Sequence, residues 1–152
     1  MKELVEYPSD VEMKFSRTFA APIKLVWNAH ADLEQVAKWW GPEGFTITTT
    51  SRVFAVGGLW RFTMHGPDGT NWSNRIEYLT VNEPTKLVYN HGSDEDPLMF
   101  YVVTEFIDLG KNGTRIESTM KFKSKDERDK TAGFAVAGHE STMGRLEKLL
   151  GD

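Results

Sequence analysis

The sequence predicts an α+β domain in which a curved antiparallel sheet grips one long C-terminal helix. Three observations predict it. From Phe45 onward, six short segments alternate apolar and polar residues with period two, separated by Gly, Pro and Asn punctuation. An earlier alternating segment, Val11 to Phe19, supplies a seventh strand. The chain then closes with a stretch from Ser124 to Leu150 whose apolar residues recur at helical spacing.

Each element has its own reason. Val11, Met13, Phe15 and Phe19 share one side of the first strand, where Arg17 is the odd charge. Ala21-Pro22 opens a short helix carrying Ile23, Val26, Trp27 and His30, and Asp32 can cap a second one reaching Trp39. Gly41-Pro42 stops it. The remaining strands fall near 45–54, 58–65, 71–81, 86–91, 98–108 and 114–122. Asn112-Gly113 is a hairpin signal, since both central positions of a tight two-residue turn favour positive φ. Thr114, Ile116, Ser118, Met120 and Phe122 alternate with charged and polar residues, the pattern of a sheet with one wet face. Ser124 and Glu127 form a capping-box pair at the start of the last helix. Gly133, Gly138 and Gly144 interrupt that helix, which suggests a packing or bending requirement. No repeat, linker or low-complexity tract divides residues 1–152, so one domain is expected, its core about 11–150.

Composition excludes several functions. Lys plus Arg total 18 against 22 Asp plus Glu, a net charge of −4, which argues against charge-driven binding to nucleic acid or an anionic membrane. The absence of cysteine removes disulfides, thiolate nucleophiles and cysteine-based metal sites. His30, His65 and His91 lack metal-ligand spacing, so neither a metal nor a cofactor is expected. There is no nucleophile elbow, phosphate loop or dinucleotide fingerprint. The opening MKELVEYPSD has no signal-peptide core, and no apolar run approaches the ~18 residues of a membrane span. A cytoplasmic location is therefore expected.

A twisted sheet closed by a single helix tends to leave space between the two, and aromatic lining suits that space to a small apolar guest. Trp60 and Phe62 on one strand face, with Tyr89 and Phe100 on neighbours and Met143 on the helix, are the candidate wall. Trp39 and Trp40 precede a Gly-Pro turn, where one can plug the mouth while the other covers the small helices, or both can serve plain packing. His139 sits mid-stripe on the last helix: a polar handle for a ligand, an acid or base, or a core histidine with a strand partner. The plainer core role is preferred. Arg17 is an anion anchor or the partner of a nearby carboxylate, and the ion pair is preferred because an unpaired buried charge is so costly.

Taken in order, several motifs resemble one family. They are Ala21-Pro22 with Val26-Trp27, then Trp39-Trp40-Gly41-Pro42, then Gly57-Gly58 before Trp60-Arg61-Phe62, and the turn Gly66-Pro67-Asp68-Gly69. Glu83-Pro84 before Lys86-Leu87-Val88-Tyr89 follows, then Gly113-Thr114-Arg115, then Gly138, Glu140 and Leu146. The chain resembles the START-like, Bet v 1-like (SRPBCC) superfamily, in the branch named after the activator of heat-shock protein 90 ATPase homologue. That resemblance implies a helix-grip fold, a seven-stranded antiparallel curved sheet wrapped around a long C-terminal helix, with two short helices between the first two strands. It further implies a hydrophobic cavity. Such proteins bind lipids, sterols, hormones or polyketides, some act as cyclases or aromatases, and the namesake stimulates a chaperone ATPase. His139 stands where the family usually carries a bulky aromatic.

The expected function is a binding protein, monomer or homodimer, for a small hydrophobic or amphipathic ligand. Arg17, Trp40, Trp60, Phe62, Tyr89, Phe100, His139 and Met143 are the candidate contacts. The alternatives are a protein-interaction module with a chaperone or other partner, and a cyclase-like or dehydratase-like enzyme using His139 with Arg17 or Tyr89.

Overall fold

The computed structural model describes residues 3–151. Strand β1 (Leu4–Glu6) and β2 (Glu12–Phe19) precede two helices, α1 (Ile23–Ala31) and α2 (Leu33–Trp39). Six strands follow: β3 (Thr46–Arg52), β4 (Leu59–His65), β5 (Asn71–Asn82), β6 (Lys86–Gly92), β7 (Phe100–Asp108) and β8 (Thr114–Phe122). Helix α3 (Lys125–Leu149) closes the chain. All strands pair antiparallel in one sheet, in the order β1-β2-β8-β7-β6-β5-β4-β3.

The helix-grip fold expected from the sequence is present, with eight strands rather than seven. The extra strand, β1, is only three residues long and pairs with β2 at the sheet edge through Leu4↔Ser16, Val5↔Phe15 and Glu6↔Lys14. Three residues are too few to show a period. The last hairpin also differs in detail. Gly110 and Gly113 carry the positive φ angles, 64° and 98°, around a short 3₁₀ turn, and Asn112 does not. A Cβ on Gly113 would lie 2.0 Å from the Phe19 carbonyl oxygen, so the close approach of β2 requires glycine there.

The helix ends follow their local chemistry. Asp32 Oδ1 accepts from the Glu34 N–H at 2.9 Å, and Ser124 Oγ accepts from the Glu127 N–H at 3.2 Å. Helix α3 lies along the concave face of the sheet. Its C-terminal half places Met143 and Leu146 in the main core with Trp27, Trp39, Trp60, Phe62, Ile76 and Phe106. Its N-terminal half sets Ala132, Ala135 and Val136 against a smaller cluster of Met13, Phe15 and Phe122.

The helix glycines do not serve close packing. A Cβ at Gly133 or Gly144 would meet nothing within 4 Å, and one at Gly138 would touch only Pro42 Cγ, at 3.7 Å. Gly133→Ala is therefore expected to stabilise the fold by about 0.5–1 kcal/mol, through helix propensity alone. Urea unfolding measures it, and a loss of stability would show that the backbone at Gly133 meets something in solution.

Candidate functional site

The sheet register identifies which side chains face α3. Phe62 pairs with Asn74, Ile76 with His91, and His91 with Phe100, and paired residues share a face. Ile76 is buried in the main core, so this face is the concave one.

The structure brings Trp40, Trp60, Phe62, Tyr89, Phe100 and Met143 together on that side, but as core. Trp60 and Phe62 are only 1% and 2% exposed. The indole of Trp40, half-buried, lies edge-on to Trp60 at 5.1 Å and to Phe62 at 6.4 Å, while Trp60 Nε1–H donates to Thr49 Oγ1. Trp39 turns the other way, stacks edge-on to His30, and donates its Nε1–H to the Ala29 carbonyl at 2.9 Å. Trp39 thus packs on the small helices and Trp40 on β4. Next to Trp60 and Phe62 lies the protein's own Trp40 indole, and Met143 belongs to the same core cluster.

Open space lies instead on the flank between β2 and α3. A groove of about 460 Å³ is lined by Arg17, Ala137, Glu140, Ser141 and Gly144. The helix residues among these are spaced i, i+3, i+4 and i+7, one face of α3, and three of the four are Ala, Ser or Gly, too small to fill it. Arg17, 9% exposed, forms the charged wall. Its Nη2 is paired with Glu147 Oε1, and its Nη1–H donates to the Glu140 carbonyl at 3.4 Å. The hydrogen bond from Arg17 is the first cause holding the Glu147 carboxyl below its ordinary range. The ion pair preferred for Arg17 from sequence is therefore formed, and its partner comes from the last helix. Arg17 Nε is buried without a hydrogen-bond partner among the described residues.

His139 faces neither the groove nor the aromatic core. Its ring stacks on Phe15, centroids 4.1 Å apart, and its Nδ1 lies 2.7 Å from Glu3 Oε1. The Glu3 side chain is 1% exposed, and its second carboxylate oxygen has no partner among the described residues. Sequence reasoning missed Glu3 because it missed the strand that delivers it. Arg17, Tyr89 and His139 take separate partners, Glu147, Thr104 and Glu3, and burial raises the Tyr89 hydroxyl well above its ordinary pKa.

Two further arginines shape the region. Arg145 Nη1–H donates to the carbonyls of Gly41, Pro42 and Phe45, and its Nη2–H to that of Lys38, so α3 holds the 38–45 loop that carries Trp40. Ser141 Oγ accepts from the Glu43 N–H at 2.9 Å, a second tie to the same loop. Arg52 donates to the Ala31 and His30 carbonyls and to Tyr78 Oη. Its guanidinium also lies over the rings of Phe54 and Trp60, at 4.6 and 4.7 Å. An arginine within a strand that carries aromatics on its neighbours was the available signal for Arg52. Among the described residues, no group of three or more His, Asp or Glu is placed to hold a metal. Among the same residues, no helix is long and apolar enough to cross a membrane.

A curved antiparallel sheet closed by a long C-terminal helix defines a START-like, Bet v 1-like (SRPBCC) domain. The family described as "Activator of Hsp90 ATPase homolog 1-like protein" matches residues 20–151, and the chain belongs to it. A crystal structure of a Mycobacterium smegmatis protein is 25% identical, with a TM-score of 0.87 and 98% of each chain covered. A Rhodobacter sphaeroides protein is 22% identical, with a TM-score of 0.88, over 99% of this chain and 98% of that one. A Staphylococcus epidermidis protein, solved by NMR, is 25% identical with a TM-score of 0.83, over 96% and 92%. Comparison with curated proteins finds no match.

Proposed function

We propose that the protein is a soluble, cytoplasmic binding protein for a small amphipathic molecule, and that the ligand lies in the groove between β2 and α3. The observation that carries this reading is the open space of about 460 Å³ beside a nearly buried arginine. An apolar chain would lie along Ala137 and Gly144, and its polar head would meet the Arg17–Glu147 pair and Ser141. Behind this groove, Trp60, Phe62, Tyr89 and Met143 act as the rigid floor of the concave face, and His139 braces the β1 side.

Filling the groove tests the reading. Gly144→Leu adds a side chain at a position where a Cβ meets nothing, so the fold tolerates it. Dodecanoate, titrated by calorimetry, is expected to bind the natural protein, and at least ten-fold more weakly to Gly144→Leu and to Arg17→Met. Absence of binding to the natural protein, together with native mass spectra showing no retained small molecule after purification from its own host, would refute it.

The family description also suggests a chaperone partner, and the observation favouring it is Phe134, 70% exposed on α3. Under that reading Phe134→Ser abolishes capture of a purified chaperone and leaves dodecanoate binding intact.

A further inference from the structure

The outer face of the sheet, turned away from α3, carries a hydrogen-bonded chain of three side chains. Phe62 is buried on the concave side and pairs with Thr49, so Thr48, one residue along, faces outward. Thr63 and His65 of β4 and Asn71 of β5 share that outer face by register. His65 pairs with Thr46 on one side and Asn71 on the other, and Thr48 is its diagonal neighbour. Asn71 Oδ1 lies 2.7 Å from His65 Nδ1, and His65 Nε2 lies 2.8 Å from Thr48 Oγ1. Strands β4 and β5 meet beside this chain in the 66–70 turn. A bond from the Gly66 N–H to the Thr70 carbonyl closes it, and Asp68 Oδ1 accepts from the Thr70 N–H, which holds Asn71 opposite His65.

The partners fix the protons. Asn71 Oδ1 only accepts, so the imidazole proton sits on Nδ1. Nε2 is then a lone pair, and the Thr48 hydroxyl donates to it. A hydroxyl donating to an imidazole whose far nitrogen is held by a third group is the arrangement of a nucleophile, its base and the group that orients the base. Thr48 also lies on β3, an edge strand. Leu59 accepts from the Val53 N–H, whereas Gly58 accepts from Tyr78, so odd residues of β4 bond to β3 and even ones to β5. Thr63 therefore bonds Thr48, and the Thr49 N–H points out of the open edge. A backbone donor one residue after a nucleophile is placed to meet an oxyanion formed on it.

We propose that Thr48, His65 and Asn71 form an acyl-transfer site for small activated carboxylic esters. Thr48 Oγ1 attacks the ester carbonyl carbon while its proton passes to His65 Nε2, and the Thr49 N–H donates to the oxygen that gains the charge. The bond to the leaving oxygen breaks, and the departing alcohol takes the proton from Nε2, which leaves the acyl group on Thr48. Water repeats the sequence: it gives a proton to Nε2 and attacks the acyl carbon. Thr48 Oγ1 then departs with that proton, and the carboxylic acid is released. Asn71 is a positioning residue that keeps the proton on Nδ1. Thr48 and Asn71 are exposed, so an ester reaches them from solvent without a cavity. With no walls to exclude water, the site acts on esters whose leaving group is already good, such as those of a phenol. It lies on the opposite side of the sheet from the groove beside Arg17.

Incubation of the natural protein with p-nitrophenyl acetate, acid quenching and peptide mass spectrometry test this. An acetyl ester is expected on Thr48, and hydroxylamine releases it, as it does not release a lysine amide. Thr48→Ser, a less hindered alcohol, reacts at least as fast, and Thr48→Val forms no ester at that position. His65→Gln lowers the acetylation rate about a hundred-fold. Asn71→Leu lowers it about ten-fold and Asn71→Asp restores it, a rescue that a merely structural asparagine would not show. Circular dichroism checks that each variant is folded. Gly144→Leu, on the far side of the sheet, acetylates at the natural rate, so this site and the groove stand or fall separately. No ester on Thr48, an ester spread evenly over Thr46, Thr48 and Thr50, an undiminished rate in His65→Gln, or equal rates in the two Asn71 variants would each overturn the proposal.

Discussion

Arg52→Met is expected to lower the unfolding free energy by about 3 kcal/mol, and the midpoint of thermal unfolding by about 10 °C. The guanidinium is partly buried, and no carboxylate pairs with it among the described residues. Its charge is balanced instead by the Ala31 carbonyl at 2.8 Å and the His30 carbonyl at 2.6 Å, both at the C-terminal end of α1, where the helix dipole favours a cation. Tyr78 Oη and the faces of Phe54 and Trp60 complete the surround. Charged hydrogen bonds contribute roughly 1.5–3 kcal/mol each and a desolvated cation–π contact up to about 2, against which stands the cost of removing the charge from water. Methionine keeps the packing volume and leaves the α1 carbonyls unsatisfied. Arg52→Lys should recover only part of the loss, because one ammonium cannot reach both the helix end and Tyr78 in the fork geometry. Chemical denaturation of the three proteins decides it: a loss below about 1 kcal/mol in the methionine variant would mean that water replaces the guanidinium without penalty.

The same residue shows how far the sequence could be read. Strands β3 to β8 and helix α3 were legible because period, punctuation and capping are local: Thr114 to Phe122 alternate, and Ser124 and Glu127 lie three residues apart. Arg17 was legible as an anomaly, a charge on an apolar face, although its partner Glu147 lies at the other end of the chain. Arg145, which ties α3 to a loop more than 100 residues earlier, left no local trace, since an arginine on a helix is ordinarily solvated. The same holds for Glu3 and His139, and for Asn74 and His91, which meet only once strands are in register. The location of free space was the least legible of all. Aromatic content forecast a lined hollow, but whether Trp60 and Phe62 border a void or a wall depends on where the Trp40 indole sits, and that is a matter of rotamer and loop.

Acidification is expected to destabilise the protein before its carboxylates begin to protonate. His30 is buried between Trp39 and Phe106, its Nδ1–H donating to the Val26 carbonyl at 2.8 Å, and burial lowers its pKa from 6.5 to about 4. Above pH 6.5 the ring is neutral in both states and contributes its full stability. Between about 6.5 and 4 the unfolded chain takes up a proton that the folded one refuses, so stability falls as pH falls and levels off below the folded value. From pH 7.5 to 5 the loss from His30 is about 2 kcal/mol. His91 is lowered to the same value by burial, so it adds a comparable loss over the same range. Glu117 and Glu147 have pKa values held below their ordinary 4.5 by ion pairing, so their contributions are lost only at lower pH, outside this window. Urea unfolding at pH 7.5 and pH 5 should show the drop, and His30→Gln, which keeps a donor for Val26 and cannot titrate, should remove about half of it. An undiminished slope in that variant would place the acid sensitivity elsewhere.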